Sequence, residues 1–124
     1  MADPVNVEGT TIRLRPDGVV EYLYAPIVVD LGHARRVVAA TPGDRSAPGP
    51  VLVQLGGVRS VTREARQFFA TDPLNLSVAS RVALVGSNPV ARVIGNFFLG
   101  LNRSSLPVRL FGSTEDALTW LLAD

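Results

Sequence analysis

A chain of 124 residues is long enough for one hydrophobic core and too short for two ordinary domains. Its 47% apolar and 19% charged residues describe a folded globular protein rather than a disordered one. Twelve basic residues, all of them arginine, against eleven acidic ones leave a net charge of +1, without the basic excess that nucleic acid demands, and the lack of cysteine excludes disulfides and thiol chemistry.

The opening stretch MADPVNVEGTT has no basic run followed by an apolar one, so it does not read as a signal peptide. Residues 1–9 are expected to form a flexible terminus ahead of a single domain over 10–124. No apolar run approaches the roughly 18 residues of a membrane span, so a cytoplasmic protein without stable membrane insertion is expected.

Ile12 and Leu14 alternate with Arg13 and Arg15, the period of a half-buried strand. Pro16-Asp17-Gly18 supplies a preset φ, a side-chain turn former and a glycine, which predicts a hairpin returning through Val19–Tyr24. Asp30 is placed to cap a helix over 31–40, with Leu31, Ala34, Val37 and Val38 as its apolar stripe. TPGDRSAPGP at 41–50 reads as an exposed loop.

VLVQL at 51–55 and RVALVG at 81–86 are short, nearly continuous apolar runs, as central strands covered on both faces require. Between them Thr62 opens a helix whose buried stripe is Ala65, Phe68 and Phe69. Ser87 or Asn88 caps a third helix over 89–102, with Pro89 in its first turn, where proline is tolerated. Its expected core stripe is Val90, Val93, Ile94, Phe97, Phe98 and Leu101. Leu99 then points outward with Arg92, Asn96 and Arg103. Gly95 and Gly100 within that helix either relieve crowding inside the fold or admit a partner. PVRLF at 107–111 is the last strand, and Ser113 with Asp116 resembles a capping box for the closing helix. Alternating strands and helices after an opening hairpin predict an α/β fold with a mainly parallel sheet.

Catalytic chemistry is hard to find. His33 is the single histidine, one turn after Asp30, and reads as a solvated or half-buried helix residue. A nucleophile elbow of the GxSxG kind is absent. Glu115-Asp116 sits in a first helical turn, where the macrodipole stabilises negative charge, so the pair needs no catalytic role. Gly95 and Gly100 match the glycine spacing of a phosphate loop, but Leu101 and Asn102 stand where Lys and Ser or Thr are required. No catalytic residue, no metal site and no cofactor is expected.

The segments VLVQLGGVRSVTREARQFFA and ARVIGNFFLGLNRSSLPVRLFGSTEDALTWL resemble a bacterial family of short STAS-like proteins, mostly of unassigned function. That family lies near the anti-sigma-factor antagonists and shares their SpoIIAA-like fold. The resemblance implies a mixed β-sheet flanked by about four helices, acting as a regulatory protein-interaction module, not an enzyme. The antagonists carry a phosphorylatable Ser or Thr in an Asp-Ser-Ser-Gly-like motif, which falls here on Thr62-Arg63-Glu64-Ala65. Arg63 or Glu64 thus occupies the acceptor position, and Thr62 and Ser60 remain as candidate phosphoacceptors. A phosphate on Thr62 would be stabilised by the helix amino terminus and by Arg59 and Arg63.

The expected partner is another protein or a second copy of the chain, as in a homodimer. The expected contact residues are Arg63 and Arg66 on the second helix and Arg92, Asn96, Leu99 and Arg103 on the third. A carrier of small apolar ligands or lipids, with Phe68, Phe69, Phe97 and Phe98 lining a cavity, is the alternative.

Overall fold

Period-2 patterning and short apolar runs become strands in the computed structural model, which describes residues 4–41, 49–71, 79–99 and 107–123. In chain order the elements open with β1 (Val5–Val7), β2 (Thr10–Leu14), β3 (Val20–Leu23), β4 (Val28–Val29) and α1 (Leu31–Ala39). They continue with β5 (Gly49–Gln54), β6 (Ser60–Val61), α2 (Arg63–Thr71) and β7 (Ala79–Val85). They close with α3 (Pro89–Leu99), β8 (Val108–Phe111) and α4 (Thr114–Leu121). Six strands form one sheet in the order β1-β2-β3-β5-β7-β8, and β4 pairs with β6 in a small parallel ribbon. The first three strands are antiparallel and the rest parallel.

The expected α/β architecture, an antiparallel hairpin followed by parallel strands with helices on the faces, is therefore what the chain adopts. Each parallel strand is added on the same side of the last. Right-handed crossovers then place the connecting helices on one face. There α1, α2 and α3 share a buried cluster containing Ala34, Val38, Ala65, Phe68, Ala91 and Ile94.

Cross-strand register explains why this face is dry. Leu14, Val20, Val51, Val82 and Val108 form one row across five strands, and Ile12, Tyr22, Val53, Leu84 and Leu110 form the next. The opposite face reads Arg13, Glu21, Leu52, Ala83, Arg109, apolar at its centre and charged at its ends. The last described helix, α4, covers that apolar centre, packing Ala117 and Leu121 against Val19, Leu52, Ala83 and Val85.

The helix caps follow the sequence expectations. Asp30 accepts from the His33 N–H at 2.8 Å and Ser113 from the Asp116 N–H at 3.2 Å. Of the two candidates before α3 it is Asn88 that caps, accepting from the Ala91 N–H at 2.8 Å.

Three expectations need correction. Residues 1–9, read as a flexible terminus, contain β1, whose Val5 and Val7 pair with Ile12 and Thr10. The tight β1–β2 turn places Glu8 and Gly9 at positive φ, and glutamate is an unusual residue for such a turn. His33, read as solvated or half-buried, is 2% exposed.

On α3 the stripe is rotated: Val93 is 54% exposed and Val90 half-buried, while Ala91, Ile94 and Gly95 are buried. Small residues explain the rotation. Gly86 leaves no room for a side chain against the Ala91 Cβ, 2.9 Å from where its own Cβ would stand, and Gly95 lies against Leu110. Ala91 and Gly95, one turn apart, bring the helix close to the sheet, so the crowding role of Gly95 is the one seen. Gly100 and Leu101 lie outside the described residues, as do the side chains of Phe97, Phe98 and Leu99.

Candidate functional site

The β6–α2 junction follows from local chemistry. The Thr62 N–H donates to the Val29 carbonyl at 2.9 Å, ending the β4–β6 ribbon. Its Oγ1 accepts from the Ala65 N–H at 3.2 Å, so Thr62 is the amino-terminal cap of α2. Ser60 and Arg63 on either side are exposed. Arg66 is half-buried instead: it lines an internal cavity and its Nη1 donates to the Val61 carbonyl at 3.4 Å. Arg92 and Asn96 are exposed on α3, beside Pro89 and Val93. The side chain of Leu99 and all of Arg103 lie outside the described residues.

Two hollows flank α2. A groove of about 300 Å³ runs between α1 and α2, bounded by Leu31, Arg35, Arg63, Glu64, Gln67 and Phe68. Behind it, between the helices and the sheet, an apolar cavity of about 60 Å³ is lined by Tyr24, Val53, Phe69, Leu84 and Ile94 among others. Burial pushes the Tyr24 phenol well above its ordinary value, and the neighbouring Tyr22 adds to the shift, so Tyr24 stays protonated.

A second cluster centres on His33. Its Nε2 lies 2.9 Å from the Thr10 hydroxyl, and that oxygen also accepts from the Ala25 N–H at 3.1 Å. Its Nδ1 is 3.6 Å from a Glu8 carboxylate oxygen, which Arg36 also holds. Hydroxyl, imidazole and carboxylate in this order are the members of a nucleophilic triad, but Thr10 is 0% exposed and cannot meet a substrate. The set instead braces the β1–β2 turn against α1. Helix periodicity carried no sign of it, because Thr10 and His33 are 23 residues apart.

The hydrogen bond from Arg36 holds the Glu8 carboxyl below its ordinary value of 4.5, against a smaller opposing cost of desolvation. The unfolded chain therefore binds this proton more readily. The brace contributes stability above the ordinary carboxylate range and loses it as the pH falls through the lowered value. A Glu8→Gln variant should accordingly unfold earlier in urea than the parent at about pH 7, with the gap narrowing as the pH falls below the ordinary carboxylate range. A gap of constant size across that fall in pH would show that the charge on Glu8 contributes nothing.

On the opposite face Glu21 is 2% exposed and accepts from Arg13 Nε at 2.6 Å and Gln54 Nε2 at 3.1 Å. Gln54 also donates to Thr114 Oγ1 at 2.9 Å, tying β3 and β5 to the start of α4. The carboxylate is held by these contacts. Among the described residues there is no group of three or more metal-ligating side chains, and no helix long and apolar enough to cross a membrane.

Comparison with known proteins agrees with this architecture. A family model described as a domain of unknown function, DUF7793, matches residues 12–123. The fold is shared with a crystal structure of an uncharacterized DUF3478-family protein with a SpoIIAA-like fold from Shewanella loihica PV-4. That match has a TM-score of 0.57 at 19% identity over 98% of both chains. A protein of unknown function from Arthrobacter sp. FB24 is 35% identical over 91% of this chain and 99% of its own, with a TM-score of 0.32. No curated protein matches.

Proposed function

From the premise that the chain belongs to the DUF7793 family and has a SpoIIAA-like fold, we propose that it is a non-enzymatic, cytoplasmic protein-interaction module of the STAS-like regulatory kind. The observation that supports this reading is the strand–helix junction at Ser60, Thr62 and Arg63. It occupies the position where anti-sigma-factor antagonists, by the resemblance of the sequence, carry their switch. Here the acceptor position of that motif holds Arg63 or Glu64, so docking is proposed without the usual phosphoserine. Thr62 already uses its hydroxyl oxygen to cap α2, and modification there would bring a phosphate to the helix amino terminus. Ser60, exposed on β6, is the other candidate.

The partner is another protein or a second copy of the chain, met through the outward faces of α2 and α3. The carrier alternative draws no support from the cavity. At about 60 Å³ it falls well short of the ~150 Å³ void that accommodates a single benzene.

A photo-crosslinking residue placed at Asn96, and separately at Arg63, tests the module reading in cells that make the protein. Discrete heavier species are expected at both positions, a band at twice the monomer mass identifying a second copy. Monomer alone from both positions would overturn the reading.

A further inference from the structure

Every basic side chain of this sequence other than His33 is an arginine, and most of the described arginines are occupied. Arg13 and Arg15 pair with Glu21 and Asp17, and Arg36 with Glu8. Arg81 and Arg109 lie over the ring of Trp120. Arg35, Arg59, Arg63 and Arg92 differ: all four are exposed and none forms an ion pair among the described residues, and of these Arg35 and Arg63 border the α1–α2 groove. Between them the half-buried Leu31 and the buried Phe68 make an apolar floor. A guanidinium presents a planar fork that matches a carboxylate, and such a pair is strengthened where an apolar surface excludes water.

We infer that the α1–α2 groove binds an acidic segment of a partner protein, one that seats an apolar side chain on Leu31 and Phe68 and gives carboxylates to Arg35 and Arg63. This inference rests on the module reading and names the chemistry of its partner. Glu64 shares the groove and repels an unbroken run of negative charge. A peptide with spaced carboxylates therefore fits better than the phosphate backbone of a nucleic acid or an anionic lipid surface. The chain's net charge of +1 points the same way.

The test uses the full chain, isotopically labelled, and three synthetic helical peptides: one of leucine and glutamate, and its glutamine and lysine counterparts. The glutamate peptide is expected to shift the amides of Leu31, Arg35, Arg63, Gln67 and Phe68, and to bind about tenfold or more tightly than the glutamine peptide. The double variant Arg35→Glu/Arg63→Glu is expected to lose that binding by about tenfold or more and to take the lysine peptide instead. Both arginines are exposed, so the variant should keep the parent's amide spectrum elsewhere.

Shifts confined to another surface, no binding of the glutamate peptide, or equal binding by parent and variant would overturn the groove. So would stronger shifts at these amides with single-stranded DNA or phosphatidylglycerol vesicles. If crosslinks from Asn96 persist unchanged in the double variant while the peptides fail, the groove falls and the module stands. Loss of all crosslinks in the parent removes the module itself.

Discussion

Thr10→Val is expected to destabilise the protein by about 2–6 kcal/mol, although valine matches threonine in shape and is at home in a strand. The substitution removes one oxygen that two buried groups share, the Ala25 N–H at 3.1 Å and His33 Nε2 at 2.9 Å. Each buried polar group left without a partner costs about 1–3 kcal/mol, and no water reaches a site where Thr10 is 0% exposed. Thr10→Ser keeps the hydroxyl and loses one methyl, so its cost should be near 1 kcal/mol. Equilibrium unfolding in guanidinium separates the two, because the midpoints should rank parent, serine, valine. A valine variant as stable as the parent would mean that the Thr10–His33 contact braces nothing. Hydrogen exchange adds a local reading: with the brace cut, the amides of β1 and of the first turn of α1 should lose protection before the central strands.

Leu52→Ala is expected to cost about 3–5 kcal/mol and to act first on α4. Leu52 is fully buried at the centre of β5, on the face where α4 is the covering helix among the described residues. The buried cluster around it is Val19, Ala83, Val85, Ala117 and Leu121, with Phe111, Leu118 and Trp120 packed against it. The valines and alanines of that cluster have little side-chain length with which to fill a void, so most of the cavity should persist. The α3–α1 face has a larger buried cluster and should tolerate a comparable truncation better. A midpoint loss equivalent to less than about 1 kcal/mol would show that α4 closes onto the sheet without Leu52.

Parts of the sheet differ in how readable they were. The centre of the sheet, covered by helices on both faces, was visible as the runs VLVQL and RVALVG, because neighbouring residues of a strand covered on both faces are all apolar. The polar patch on the α4 face was half visible: the alternation of Arg13 and Arg15 with Ile12 and Leu14 marks an outward side. That the side would bury Glu21 against Arg13 and Gln54 was not visible, since the three residues come from three strands.

The candidate site divides in the same way. Thr62, Arg63 and the start of α2 were legible because a cap, its helix and the flanking charges lie within a few residues of one another. The α1–α2 groove was not legible, since it needs Leu31 and Phe68 to meet across two helices. Arg66 was expected among the contact residues with Arg63, yet it is half-buried and lines the cavity behind α2.

Sequence alone accounts for the elements whose determinants are local. Asp30, Thr62 and Ser113 announced helix starts, Pro16-Asp17-Gly18 a hairpin, and the strand–helix alternation a mainly parallel sheet. Each rests on a side chain and a backbone group a few residues apart, so no other part of the chain was needed to read them. Packing decided the rest. The Val5–Val7 strand pairs with Thr10–Ile12, and the Thr10–His33 hydrogen bond with the Glu8–Arg36 ion pair ties the intervening turn to a distant helix despite an unfavourable φ at Glu8. The facing of α3 was set by Ala91 and Gly95, residues too small to score in a hydrophobic stripe but small enough to let a helix approach a sheet. Periodicity weighs how apolar a residue is, whereas packing weighs how closely it lets its neighbour come.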